Sequence, residues 1–138
     1  MPTTLTPSLD APPVLRILYV EDVPELRDLT RAVFSRDGHH VECASDGVYG
    51  LDALAANQYR FDLLITDHHM PRMNGLDLLK NVRRLPYHGK RVVFSSELNP
   101  AISAEYQALG VDRMLFKPVY PSYLRQVLAE LFPAKAHV

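Results

Sequence analysis

Apolar positions along the chain follow two alternating periods. LRILYV (15–20), HVECA (40–44), FDLLIT (61–66), RVVFS (91–95) and DRMLFK (112–117) are short runs, and most are hydrophobic throughout instead of alternating with polar residues. Runs of that kind predict strands covered on both faces, as in a parallel sheet. Between them the apolar residues recur at helical spacing. Leu26, Leu29 and Val33 fall on one face of a first helix, Val48, Leu51 and Leu54 on one face of a second, and Leu79 with Val82 in a third. Ile102, Tyr106 and Leu109 mark a fourth, and Leu124, Val127, Leu128 and Leu131 a fifth. Five strands therefore alternate with five helices.

Capping chemistry sharpens the boundaries. Asn74 suits the start of the third helix, Asn99 followed by Pro100 reads as an N-cap with proline at the first helical position, and Gly110 suits the end of the fourth. Repeated strand–helix units with right-handed crossovers predict an α/β fold, a doubly wound (βα)5 parallel sheet with helices on both faces. Residues 14–133 form that single domain. A proline-rich N-terminal tail precedes it at 1–13, and a short tail follows at 134–138.

Composition changes this picture little. The 138 residues are 47% hydrophobic and 22% charged, with a net charge of −1, which supplies no electrostatic case for nucleic acid or anionic membrane. The first thirteen residues carry no basic start or apolar stretch of a signal peptide, and no apolar run approaches the roughly 20 residues that span a bilayer. The single cysteine, Cys43, reads as a structural thiol, and a cytoplasmic setting is expected.

Doubly wound sheets gather function beyond the carboxyl ends of their strands. Here the first strand ends in Glu21-Asp22, the third in Asp67, the fourth in Ser95-Ser96 and the fifth in Lys117-Pro118. Carboxylates brought side by side repel one another unless a cation sits among them. Mg²⁺, a hard ion that favours oxygen donors, answers that need, and Mn²⁺ can stand in for it. His68 and His69 adjoin Asp67, but consecutive loop residues point apart, so an imidazole metal site is not expected; His39 and His40 are expected to face solvent. Tyr106, Tyr120 and Tyr123 read as packing or partner-surface residues.

Four fragments carry a family resemblance: the acidic pair in YVEDVPELRDL, the aspartate with Met-Pro and Asn-Gly in TDHHMPRMNG, the hydroxyl in VVFSSE and Lys-Pro in MLFKPV. In that order, at the ends of strands one, three, four and five, they resemble the receiver domain of two-component response regulators, the CheY-like family. The resemblance covers about residues 14 to 133 and implies strand order 2-1-3-4-5, which brings Glu21, Asp22 and Asp67 together. It implies that Asp67 accepts a phosphoryl group from a histidine kinase or histidine phosphotransfer protein. Glu21, Asp22, Asp67 and the backbone carbonyl of His69 then hold the metal, while Lys117 and Ser95 bond the phosphoryl oxygens. It implies a cis Lys117–Pro118 bond, tuning of phosphate lifetime by His69 and Glu97, and output through the face formed by the fourth helix, fifth strand and fifth helix. The family often carries an aromatic residue three positions before the lysine, where Met114 stands here, so coupling through an aromatic rotamer is expected to be weaker.

The expectation is a stand-alone phosphoacceptor, monomeric or dimerising on phosphorylation, or else a receiver excised from a longer regulator or hybrid kinase. A haloacid dehalogenase-like phosphatase with an aspartate nucleophile is the alternative in another class. It wants a second aspartate two residues on, where His69 stands. A flavodoxin-like carrier would need a phosphate loop in place of the acidic VEDVPEL.

Overall fold

A computed structural model describes residues 13–96 and 99–134; the expectations placed on Glu97 and on the outer parts of both tails lie outside the described residues. The elements alternate as β1 (Arg16–Val20), α1 (Pro24–Arg36), β2 (His40–Ala44), α2 (Gly47–Ala56), β3 (Leu63–Asp67), α3 (Gly75–Val82), β4 (Lys90–Ser95), α4 (Pro100–Ala108), β5 (Arg113–Phe116) and α5 (Pro121–Leu131). The strands form one parallel sheet in the order β2-β1-β3-β4-β5. Chain direction reverses its march across the sheet at β1, between β2 and β3.

Alternate residues of each strand feed two separate cores. Leu18, Val20, Leu64 and Val93 face one side, where they meet Leu54 of α2, Leu76, Leu78, Leu79 and Val82 of α3 and Tyr106 of α4. Ile17, Tyr19, Leu63, Ile65, Val92, Phe94 and Leu115 face the other, against Phe34 of α1 and Leu124, Val127 and Leu128 of α5. All five residues of the central strand β3 are buried, which is why its sequence is apolar without alternation. Each fully buried leucine or isoleucine contributes roughly 2 kcal/mol from its removal from water.

Caps account for the helix starts. Asp46 and Asn74 accept from the backbone amides of Tyr49 and Asp77, and Asn99 accepts from Ala101, ahead of Pro100. Gly110 follows the end of α4 at φ +78°, a left-handed conformation that glycine adopts without steric penalty.

Helix α1 departs from the expected packing. Leu29 is 60% exposed and Leu26 36%, and the buried residues are Val33 and Phe34. The inward row begins instead with half-buried Arg27 and Thr30, because the guanidinium of Arg27 donates to the Glu21 carbonyl at 2.7 Å and fixes the helix's rotation. His39 departs too. It is half-buried, its Nδ1 accepts from the Leu15 amide at 3.0 Å, and its ring stands edge-on to Phe34.

The sheet register places the polar strand ends level. Val20 pairs with Thr66 and Asp67 with Phe94, so Glu21 comes beside Asp67, and Ser95 pairs with Phe116 one residue before Lys117.

Candidate functional site

The carboxylates of Glu21, Asp22 and Asp67 converge at the carboxyl edge of β1 and β3, with one ligand atom from each lying within 4.8 Å of the others. Glu21 is wholly buried and Asp67 nearly so, whereas Asp22 is half-buried. Lys117 reaches this group from the end of β5. Its ammonium lies 2.7 Å from Asp67 Oδ1 and 3.1 Å from Glu21 Oε1. The Lys117 amide also donates to the Ser95 carbonyl at 2.8 Å, and the Lys117–Pro118 bond is cis. Ser95 is buried at the end of β4, on the strand that pairs with Asp67.

Charge accounting gives the site its character. Three carboxylates face one ammonium, leaving two negative charges in a largely buried place. Burial raises the pKa of Glu21 above the usual carboxylate range, the Asp67 charge raises it further, and Lys117 pulls it back. Burial likewise raises Asp67 against the opposing pull of Lys117. For Lys117 burial acts downward, and its bonds to the two carboxylates outweigh it, so its pKa rises. The excess charge is that of one divalent cation. The donors are all hard oxygens, and an octahedral Mg²⁺ with bonds near 2.1 Å spans about 4.2 Å between opposite ligands. Three carboxylate oxygens within 4.8 Å of one another come close to that span, and solvent would complete the shell.

Sequence reasoning missed several groups that position this cluster. The Tyr19 hydroxyl lies 3.3 Å from Glu21 Oε1, and the Val23 amide lies 3.3 Å from Oε2, so the buried carboxylate is well supplied with donors. The signal was available, since Tyr19 and Glu21 are two residues apart along a strand direction and share a face. Asp46 and Arg72 form a second unforeseen pair at 2.8 Å. Arg72 holds φ +64° and lies over the Tyr49 ring at 4.8 Å, which ties the segment after Asp67 to the start of α2.

The adjacent histidines do not point apart as expected: their rings meet edge-on with centroids 4.7 Å from each other, and they differ in burial. His69 is exposed, while His68 is buried with its Nδ1 2.5 Å from the Tyr106 hydroxyl of α4. Tyr106 is wholly buried, and Tyr120 and Tyr123 are exposed on the α5 side. Met114 of β5 is half-buried against the same core as Tyr106. Cys43 is half-buried, with the Arg31 side chain nearby. Among the described residues, no helix is long and apolar enough to cross a membrane.

Comparisons with known proteins identify the family and the fold. The family model described as the response regulator receiver domain matches residues 17–129. The sensor histidine kinase AruS of Pseudomonas aeruginosa is 34% identical over 130 residues, covering 91% of this chain and 13% of that protein. The Regulator of RpoS of Escherichia coli is 40% identical over 121 residues, covering 86% of this chain and 35% of that protein. The chain thus spans about a third or less of these relatives' lengths. The structure of the chemotaxis protein CheY4 of Vibrio cholerae superposes with a TM-score of 0.80 at 29% identity, covering 87% of this chain and all of that one. The family model over residues 17–129, joined to relatives above 30% identity, places this chain in the response regulator receiver domain family of two-component systems.

Proposed function

We propose that this receiver accepts a phosphoryl group on Asp67 from the phosphohistidine of a sensor histidine kinase or a histidine phosphotransfer protein, and signals through the resulting change in shape. The contact that carries this reading is the 2.7 Å approach of Lys117 to Asp67 inside the carboxylate cluster. In the reaction an Asp67 oxygen attacks phosphorus in line, the P–N bond to the donor imidazole breaks, and a P–O bond to the carboxylate forms. The imidazole leaves with a proton, and water later hydrolyses the acyl phosphate.

Glu21, Asp22, Asp67 and the main-chain carbonyl of His69 would hold Mg²⁺, or Mn²⁺ in its place. When bound, such an ion neutralises charge on the phosphoryl oxygens. Lys117 supplies a compact positive charge to a second oxygen, and the Ser95 hydroxyl donates to a third. Both stand on adjacent strand ends joined by the Lys117–Ser95 backbone bond, so their spacing is set by the sheet. The chain acts as a phosphoacceptor and catalyses only its own phosphorylation and dephosphorylation.

Two surfaces suit partners. Val23, Leu26 and Leu29 present exposed apolar groups on α1, which begins directly after Glu21-Asp22; a phosphohistidine protein seated there brings its imidazole to the acidic edge. The output face is that of α4, β5 and α5, where Phe116, Tyr120 and Tyr123 are exposed. Its reader is a protein, with no part for nucleic acid or membrane, and the setting is cytoplasmic.

The test is incubation with acetyl phosphate and Mg²⁺ followed by intact-mass measurement. The wild type gains a metal-dependent phosphoryl adduct that Asp67→Asn lacks. Continuous phosphate release from unrelated monoesters without an adduct would instead favour a phosphatase.

A further inference from the structure

Helix α4 is attached to the body in an unusual way. Of its nine residues only Tyr106 is buried, with Ile102 and Ser103 half-buried and the rest exposed. The Tyr106 ring enters the core beside Leu78, Leu79 and Met114, and its hydroxyl continues to His68, the residue directly after Asp67. That path is open because position 75 is glycine; a Cβ there would come within 2.8 Å of the hydroxyl and 2.5 Å of the Asp67 carbonyl oxygen. His68 is itself fixed to the sheet, its amide donating to Phe94 and its carbonyl accepting from Gly75. The two rings meet edge-on at 5.5 Å between centroids.

We propose that the hydrogen bond between His68 and Tyr106 is the linkage through which the state of Asp67 sets the position of α4. This rests on the phosphoacceptor reading above and names the route by which that site is read. A coupling element must have two arrangements that both sites bias. Helix α4 is held by one buried side chain, the attachment about which a second arrangement would turn. The C-terminal half of α4 carries Tyr106, so the bond to His68 ties that half of the helix to the residue after Asp67. A phosphoryl group adds up to about two negative charges and draws hydrogen-bond donors toward itself. Burial first and the Asp67 charge second raise the Tyr106 pKa, so the phenol keeps its proton. A shift of His68 as Asp67 changes state passes through this bond to Tyr106 and turns the helix. Met114, a flexible thioether in the same core, fills space without a polar tip that could report on Asp67.

Hydrogen–deuterium exchange of the full chain, read by mass spectrometry over residues 99–109, tests the linkage before and after acetyl phosphate with Mg²⁺. Four proteins are compared: wild type, Tyr106→Phe, the double variant His68→Leu/Tyr106→Phe, and Met114→Ala. The double variant removes both polar atoms of this pair, so neither is left buried without the other, and it keeps the test open where Tyr106→Phe loses stability. The expected result is a phosphoryl adduct in all four by intact mass, with the α4 exchange response present in wild type and Met114→Ala and lost in both Tyr106 variants. An unchanged α4 response in the Tyr106 variants overturns the linkage. So does a wild-type adduct with no response in α4, although the phosphoacceptor reading then stands. Loss of the adduct in a folded Tyr106 variant overturns it as well, by placing the hydroxyl in the chemistry. Absence of any adduct in wild type defeats the phosphoacceptor reading itself.

Discussion

Replacing Lys117 by methionine tests the charge balance of the site directly. Methionine keeps an unbranched stem and removes the ammonium, so the main loss is electrostatic. In the native chain that ammonium lies 2.7 Å from Asp67 and 3.1 Å from Glu21, whose side chains are 9% and 0% exposed. Removing one partner of a buried ion pair costs about 3–5 kcal/mol, because the remaining charge stays out of water. The Lys117 side chain retains 24% of its exposure, so solvent already weakens the pair. The expected loss is about 2 kcal/mol in metal-free buffer at neutral pH. Taking roughly 2.1 cal/mol/K of unfolding entropy per residue, a chain of 138 residues loses about 7 °C in Tm. A surface pair would move it by no more than about 3 °C.

The assay is thermal unfolding followed by circular dichroism, with chelator and again with Mg²⁺. The variant's deficit should shrink as Mg²⁺ is added, because the ion supplies charge where the ammonium no longer competes. A ligand at a hundred times its Kd stabilises whichever chain binds it by about 2.7 kcal/mol, so the deficit closes to the extent that the variant binds Mg²⁺ more tightly than wild type. A Lys117→Met chain that melts within about 3 °C of wild type without metal would refute the reasoning, since the carboxylates would then need no ammonium.

Three further variants probe other parts of the structure. Asp46→Asn keeps an N-cap for α2 and removes the charge facing Arg72; the guanidinium holds the Asp46 carboxyl below its usual pKa. Its stabilisation is therefore present above the unfolded value of about 3.9 and fades as pH falls through the lower folded value, so wild type and variant should differ at pH 7 and converge in acid melts. Gly75→Ala drives a methyl against the Asp67 carbonyl at 2.5 Å and the Tyr106 hydroxyl at 2.8 Å, and should cost about 2 kcal/mol in urea unfolding. Leu26→Ser/Leu29→Ser should change stability by less than about 0.5 kcal/mol and leave labelling by acetyl phosphate intact. It should slow transfer from any phosphohistidine protein that labels the wild type; equal rates would remove α1 from donor docking.

The sheet was legible in the sequence because its strands are buried on both faces. FDLLIT and RVVFS read as strands from composition, and the structure places β3 and β4 within a residue or two of them. Strand order was a different matter, since periodicity within a segment says nothing about its neighbours; that came from the resemblance. Helix α1 misled for a physical reason. Leu26, Leu29 and Val33 have core spacing, yet the pull of Glu21 on Arg27 turns two leucines outward. Apolar periodicity predicts the buried face only when no polar residue has a buried partner of its own.

The acidic edge was legible because each strand end carries a polar group that the register brings level. The contacts that position it were less so. Tyr106 matched the spacing of a core residue in the fourth helix, and its ring does lie in the core. Where its hydroxyl goes is decided by three segments distant in sequence: the helix that carries it, the residue following β3, and the glycine that begins α3 and leaves the space clear. Each of these has an ordinary local explanation as a helix residue, a loop histidine or a helix-start glycine. Only their meeting makes a polar connection, and a meeting across 38 residues of sequence is set by topology and packing, which no local window contains.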